Sequence, residues 1–354
     1  MAAAFDELEC LEALEDLDAA DQQDIPRRCI TDRMNLFHSL HDEEFIKRFR
    51  LSKTTALNLL DKLQIQGTRD GRGSPVPPHL QLLITLRWMA TGSFQLTIAD
   101  SFDVSQQLVS KCTAKIVRAI ASLLQDYVKR PSREHFSNIR NNYFEMSGFP
   151  GVLGAVDCTH VPIQSPGGAR AEKFRCRKGF FSLNVQAACG PNLEFFDFVC
   201  RWPGSVHDSR IFNNSRLFFD LQHDLLEGHH LLGDPAYPLL PFLLTPVANP
   251  VGQREVRYNI SHSKARNTIE RAFGVLKMRF RCLTIPLKIN LTTVMATICS
   301  AAVLHNMAVK YKEDLYMCND DGAEESVNIE ENIEHFVNAA GRQKRNNIIN
   351  EYFS

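Results

Sequence analysis

Residues 151–165 read GVLGAVDCTHVPIQS, and the fold turns on that stretch. Val152, Leu153, Ala155, Val156, Val161 and Ile163 form an apolar run rich in β-branched side chains, the composition of a strand buried on both faces. Asp157 interrupts it. An ionised carboxylate inside such a strand is costly unless it is paired, protonated or bound to a cation. A turn to cap or an arginine to meet would satisfy Asp157 as well as a metal would, so its partners elsewhere in the chain decide the reading.

Two further acids answer. Asp234 ends a second short apolar run, residues 230–234 (HLLGD), and Pro235 then stops the strand. Glu270 lies in residues 262–281, which hold no proline and one glycine, Gly274, and are predicted to be helical. Ile269, Phe273, Leu276 and Phe280 recur at i, i+4, i+7 and i+11, a single core-facing stripe. Glu270 sits on the flank of that stripe, in line with Arg266, Gly274, Lys277 and Arg281. A glycine and several cations on one line suit the close approach of an anion. Two strand-end acids and one helix acid make an oxygen donor set for hard divalent cations.

The composition fits an ordinary globular chain of one or two domains: 354 residues, 44% hydrophobic and 23% charged. The formal net charge of -1 hides strong segregation. Residues 1–24 carry nine acids and no Lys or Arg, and residues 313–334 repeat that count. The intervening body, 25–312, holds 37 basic against 22 acidic side chains, and 251–312 alone holds 11 against 2. Such a body attracts a polyanion, which the two acidic segments would screen or compete for. The ten cysteines are scattered, with no two within four residues of each other, which excludes zinc-finger spacing. The acidic N-terminus is the reverse of a signal or transit peptide. Reduced thiols in a cytosolic or nuclear protein are therefore expected. Residues 293–309 are the most apolar window but include Ser300, His305 and Asn306; a buried helix is expected there and no membrane association.

The chain divides into an acidic tail over 1–24, a helical region over 25–147, an α/β domain over 148–312, and an acidic linker with a C-terminal helix over 313–354. In the tail, apolar residues recur every third position over 4–18, the pattern of a short amphipathic helix. Residues 34–66 predict two helices, starting near Asp42 and Ser52, and the Gly- and Pro-rich stretch 67–78 predicts a loop. Residues 79–90 predict a helix. Residues 96–101 predict a short one, followed by a turn at 102–104 and a helix N-capped by Ser105 that runs to about Leu124. That is the outline of a helix-turn-helix over about 95–124, or equally of a helical hairpin packing its own core. In the first case Gln106, Gln107, Ser110 and Lys111 would face DNA, since Gln reads adenine and Lys meets phosphate or guanine.

Beyond Asp157, residues 170–178 carry Arg170, Lys173, Arg175, Arg177 and Lys178. A hairpin follows, 182–189 and 193–202 joined at Gly190-Pro191-Asn192, and then a helix beginning near His207 and Asp208. Asp208 is read either as an N-cap or as a further carboxylate beside a metal. Arg342, Lys344 and Arg345 form a small basic cluster near the C-terminus that would assist nuclear entry.

Strand, hairpin, helix, strand, loop region and helix, with acids on the first and fourth strands and the late helix, is the order of an RNase H-like fold. The spacing of Asp234 and Glu270 is similar to that in the carboxylate triad of cut-and-paste DNA transposases. The words GVLGAVDCTHVPI, RKGFFSLNVQAAC, WPGSVHDSRIF, LLGDPAYPL, NTIERAFGVLKMRFRCL and AAVLHNM resemble the PIF/Harbinger superfamily of DDE transposases. They are most similar to the animal Harbinger transposase-derived nucleases. RFRLSKTTALNLLDKL and TGSFQLTIADSFDVSQQLVSKC resemble that family's N-terminal region and RNNIINEYF its ending, so the likeness covers roughly residues 30–312 and the terminus.

The resemblance implies an α/β, RNase H-like catalytic domain preceded by an all-helical domain. It implies a metal-dependent DNA endonuclease with Asp157, Asp234 and Glu270 as its triad and Asp208 as an additional metal ligand. Two divalent ions, Mg²⁺ or in its place Mn²⁺, would be bridged by Asp157, with Asp234 and Glu270 each completing one shell. Lys173, Arg175, Arg177, Lys178, Lys277 and Arg281 are the expected phosphate contacts. The family is nuclear, here with a cytoplasmic pool expected, and works with a separate Myb/SANT-like DNA-binding partner; a homodimer is a further expectation. Other readings of the same residues are a domesticated DNA-binding or scaffold protein without catalysis, and an active transposase that also joins strands.

Overall fold

The computed structural model describes residues 35–69, 75–223, 226–313 and 338–353. The acidic tail with its helix over 4–18, and all but the first residue of the acidic run 313–334, lie outside the described residues. The chain forms two compact units, Met1–Ser39 and Leu40–Ser354. Of the first, one helical turn is described, α1 (Leu36–Ser39).

The larger unit begins with helices. In α2 (Asp42–Phe49) three acids occupy the first turn, where the helix dipole favours them. In α3 (Lys53–Leu63) the Ser52 side chain caps by accepting the Thr55 N–H. Residues 34–66 thus hold three helical pieces where two were expected. The stretch 67–78, expected as loop, carries a short antiparallel ladder of β1 (Thr68–Arg69) and β2 (Pro75–Val76). Gly and Pro content is silent on such paired segments. Then come α4 (Pro78–Thr91), α5 (Gln95–Ser101), α6 (Gln106–Ala121), α7 (Leu124–Tyr127) and α8 (Phe136–Ser147).

The short helix, the turn and the Ser105-capped second helix are present, with Asp103 in the left-handed region at φ 48°. The second helix stops at Ala121, and a separate turn, α7, follows. Its buried face, Leu108, Val109, Cys112, Ile116, Val117 and Ile120, does not close on its own hairpin alone. The Val117 carbonyl accepts the Ser300 hydroxyl at 2.6 Å and Arg118 donates to Thr293 Oγ1 at 3.0 Å, both on a helix from the far end of the unit.

The sheet is built around β3 (Val152–Pro162). β4 (Ser182–Cys189) and β5 (Phe195–Pro203) lie antiparallel on one side, β6 (His230–Leu232) and β7 (Leu243–Leu244) parallel on the other, in the order β5-β4-β3-β6-β7. β7 falls in the segment read as a loop region; two residues among prolines leave no alternating pattern to find. Between β5 and β6 sit α9 (Asp208–Asn213) and α10 (Arg216–Gln222).

Three helices complete the unit. α11 runs Gln253–Arg279, nine residues earlier than expected at its start, because Gly252 at φ 96° is the breaker and Tyr258 extends the buried stripe. It ends before Arg281, which lies in a 3₁₀ turn, Arg281–Leu283, and not on the helix line. α12 (Leu291–Lys310) is, among the described residues, the one helix long and apolar enough to cross a membrane, and 72% of that window is buried inside the protein. α13 (Ala339–Tyr352) is tied down by Lys344, whose ammonium donates to the carbonyls of Gly228, Pro241 and His229 at 2.6, 2.7 and 3.2 Å. Arg345 donates to Pro246 O at 3.1 Å. Two of the three cations read as a nuclear signal therefore hold backbone carbonyls.

Candidate active site

Register puts the first two acids side by side. β3 and β6 run parallel with Ala155 opposite Leu232, so two residues further along each strand come Asp157 and Asp234. There β3 leaves the core: Val152–Val156 are buried and residues 157–160 half-buried. The third acid arrives from α9. His207, not Asp208, takes the N-cap position and makes no side-chain cap bond, so the capping reading of Asp208 is replaced. Asp208 Oδ1 instead accepts the Asn184 amide at 2.8 Å, from β4, and that amide also donates to Val206 O at 2.9 Å. One oxygen from each of Asp157, Asp208 and Asp234 lies within 4.8 Å of the others.

Backbone amides orient two of the three. Asp157 Oδ1 accepts the Cys158 N–H at 2.7 Å and Asp234 Oδ1 the Ala236 N–H at 2.9 Å. Both carboxyls are nevertheless pushed up. Burial, and then the Asp234 charge, raise Asp157 to about 7; burial, and then Asp208, raise Asp234 to about 6. At both carboxyls burial and the neighbouring carboxylate outweigh the Arg266 charge, which pulls the other way. Tyr237 closes the floor, its hydroxyl 3.4 Å from Cys158 Sγ, and burial lifts both of these groups.

Glu270 does not join the three-aspartate cluster directly. It projects from α11 with its side chain half exposed and pairs with Arg266, one turn earlier. The other arm of that guanidinium, Nη1, donates to Asp157 Oδ2 at 2.8 Å. Burial would lower the Arg266 pKa, but Asp157, Glu270 and Asp234 together outweigh it and raise it. Further along α11, Lys277 donates to the carbonyl of His160 on β3 at 3.1 Å.

The cations expected at phosphates divide into groups. Lys173 and Lys178 are exposed on the segment between β3 and β4. Arg175 binds Glu172 at 2.8 Å and Gly179 O at 2.7 Å and stacks on Phe181, so it clasps its own loop. Arg177 meets the ring of His207, next to Asp208. Burial lowers the pKa of His160; Asp208 pulls it up, while Lys277, Lys178 and Arg177 add to the lowering. Arg281 is exposed beyond the helix. Gln106, Gln107 and Lys111 lie on the exposed face of α6, on a different element from those that build the acid cluster. Asn184 and the pairing of Arg266 across to Asp157 were not foreseen; for the first, the signal was a buried strand that carries Ser182, Asn184 and Gln186 among its apolar residues.

A mixed sheet flanked by helices, with one aspartate midway along the central strand β3 and another just past the end of its parallel neighbour β6, fits an RNase H-like fold of the DDE type. Residues 156–306 match the DDE superfamily endonuclease family. The human protein named "Putative nuclease HARBI1" is 31% identical over 268 residues, 75% of this chain and 76% of its own length. The Xenopus laevis protein of that name is 28% identical over 80% of this chain and 82% of its own. The Arabidopsis thaliana protein named Antagonist of like heterochromatin protein 1 is 26% identical over 69% of this chain and 67% of its own. The chain belongs to the PIF/Harbinger superfamily, among the Harbinger transposase-derived nucleases. No solved structure matches it.

Proposed function

We propose that the protein is a metal-dependent endonuclease that hydrolyses phosphodiester bonds in DNA, with Asp157, Asp208, Asp234 and Glu270 as its metal ligands. One observation carries the reading: three carboxylates from three separate elements converge within 4.8 Å, two of them with raised pKa values. Oxygen is the only donor type in that set, which suits Mg²⁺, with Mn²⁺ able to replace it. Divalent ions bound there supply activation of the attacking water and charge stabilisation at the scissile phosphate.

The chain's own groups do the positioning. Asn184 and the Cys158 and Ala236 amides fix the carboxylates, and Arg177, Lys178 and Lys277 line the rim over which the DNA backbone lies. Lys173 and Arg281 extend that track, and Gln106, Gln107 and Lys111 on α6 contact DNA away from the cleavage point. The expected setting is the nucleus, with a cytoplasmic pool, a Myb/SANT-like DNA-binding partner and a homodimer. The test is plasmid nicking with Mg²⁺, with and without that partner. Metal-dependent nicking that Asp157→Asn abolishes supports the reading; nicking undiminished by that change sinks it.

A further inference from the structure

We infer that Arg266 is a built-in counter-cation that keeps the site at one divalent ion until DNA arrives. The inference rests on the nuclease reading above and adds an order to metal loading.

Arg266 stands one turn before Glu270 on α11, and its planar fork ties two carboxylates from different elements. Nη1 reaches Asp157 Oδ2 at 2.8 Å and Nη2 reaches Glu270 Oε1. Linking a strand acid to a helix acid is what a bridging metal ion does. The arginine side chain is 20% exposed and that of Asp157 16%, so the pair is largely out of water, where charge is screened least. Asp157 Oδ1 is meanwhile held by the Cys158 amide, which leaves Oδ2 as the oxygen the guanidinium uses.

Two cation positions follow from these contacts. One lies among Asp157, Asp208 and Asp234, whose oxygens already converge. The other lies between Asp157 and Glu270, and the guanidinium fills it. A divalent ion cannot take the second position while Arg266 remains, because it would need the same two carboxylates and would face a fixed positive charge. The guanidinium fork matches a phosphate as well as a carboxylate, so a DNA phosphate offers Arg266 the same two-point pairing. Glu270 is half exposed, so its side of the pair is open to that exchange. A DNA phosphate that draws Arg266 off would thus release Glu270, which could then help to hold a second divalent ion in the complex.

Mn²⁺ titration followed by calorimetry and electron paramagnetic resonance reads this without any cleavage. The wild-type chain without DNA should bind one ion, with any second at least tenfold weaker. A short duplex with a non-hydrolysable linkage should bring the count to two. Arg266→Met should bind two ions without DNA, and should lower the melting temperature of the metal-free protein by stranding Asp157 and Glu270. Should Arg266→Met fail to fold by circular dichroism, Arg266→Lys keeps the charge but loses the fork, and should strengthen the second site several-fold. Glu270→Gln with the duplex should stay at one ion. Two equal ions on the wild type without DNA, or a second site unchanged in the folded Arg266 variant, overturns the role of Arg266. Absence of any bound ion overturns the metal reading itself.

Discussion

Asn184 on β4 and Asp208 at the start of α9 are joined by an amide-to-carboxylate hydrogen bond of 2.8 Å, and Asn184 is 1% exposed. The bond fixes a carboxylate that the turn after β5 would otherwise leave to rotate. Asn184→Leu keeps the volume and removes the donor. It should weaken Mn²⁺ binding about 10- to 100-fold, the usual worth of a group that orients a metal ligand. Stability should fall by about 1–3 kcal/mol for the lost bond to a charged group. Calorimetric titration and thermal melting check the two separately. Unchanged affinity would leave Asn184 a packing residue.

Acids that serve a metal burden the metal-free fold. Asp157→Asn, Asp208→Asn, Asp234→Asn and Glu270→Gln should each lower Mg²⁺-dependent nicking by about a thousandfold or more, the rate equivalent of several kcal/mol. Asp234→Asn should at the same time stabilise the metal-free protein at pH 8 by on the order of 1 kcal/mol, because the ionised form is the disfavoured one in the fold. Chemical denaturation in a chelator reads the second effect. A variant that is both inactive and destabilised would make Asp234 a structural acid.

Asp157 was legible because it interrupts an apolar run, and Asp234 because it ends one, where a buried strand meets solvent. Their adjacency was not, since parallel pairing of Ala155 with Leu232 joins residues far apart in sequence. Asp208 follows a histidine at a helix start and so looks locally like a cap; only the tertiary approach of Asn184 shows otherwise. The four-residue spacing of Arg266 and Glu270 is visible by eye, but whether the arginine also reaches a strand acid depends on where α11 crosses the sheet. Local signals found the starts of α2, α3 and α6, but not the start of α11 at Gln253, and missed β7, a two-residue strand that exists only because β6 is beside it.

Metal and protons compete for the same oxygens. With Asp157 near 7 and Asp234 near 6, the metal-free folded state holds protons that the unfolded chain has already released. Their contribution to stability is full below about pH 4, declines above it, and is lost once pH has risen through about 6 to 7. Mg²⁺ should reverse the trend: no gain in melting temperature at pH 5, a full gain at pH 8. Melting curves with Mg²⁺ and with chelator at the two values test the crossing. An equal gain at both would place the bound metal elsewhere.

Duplex DNA binding should depend on salt through the rim cations. The five cations Lys173, Arg177, Lys178, Lys277 and Arg281, each on one phosphate, give a slope of log affinity against log salt of about -4.5. Lys173→Ala and Lys178→Ala should each flatten it by about 0.9 with little effect on folding, since both side chains are exposed. Arg175→Ala should act through its loop, releasing Glu172, Gly179 and the stacked Phe181. Fluorescence anisotropy at several salt concentrations separates these cases, and a flat response in the wild type would exclude this surface.

Two glycines should answer a methyl group in opposite ways. At Gly154, on β3 three residues before Asp157, an added Cβ would meet ring atoms of Phe196 at 2.6 Å and the Cys189 carbonyl oxygen at 2.9 Å. The ring can shift, but the carbonyl belongs to the β4 ladder and cannot. Gly154→Ala should therefore cost about 1–3 kcal/mol as an overpacked core does. The strain falls beside the irregular pairing of β3 with β6, so it should also weaken Mn²⁺ binding by displacing Asp234. At Gly274, on the open face of α11, a Cβ meets nothing within 4 Å, and Gly274→Ala should stabilise by about 1 kcal/mol through helix propensity alone. Denaturation curves paired with Mn²⁺ titration of both variants decide it: a Gly154→Ala protein of wild-type stability and affinity would mean that β3 does not pack this closely on Cys189 and Phe196.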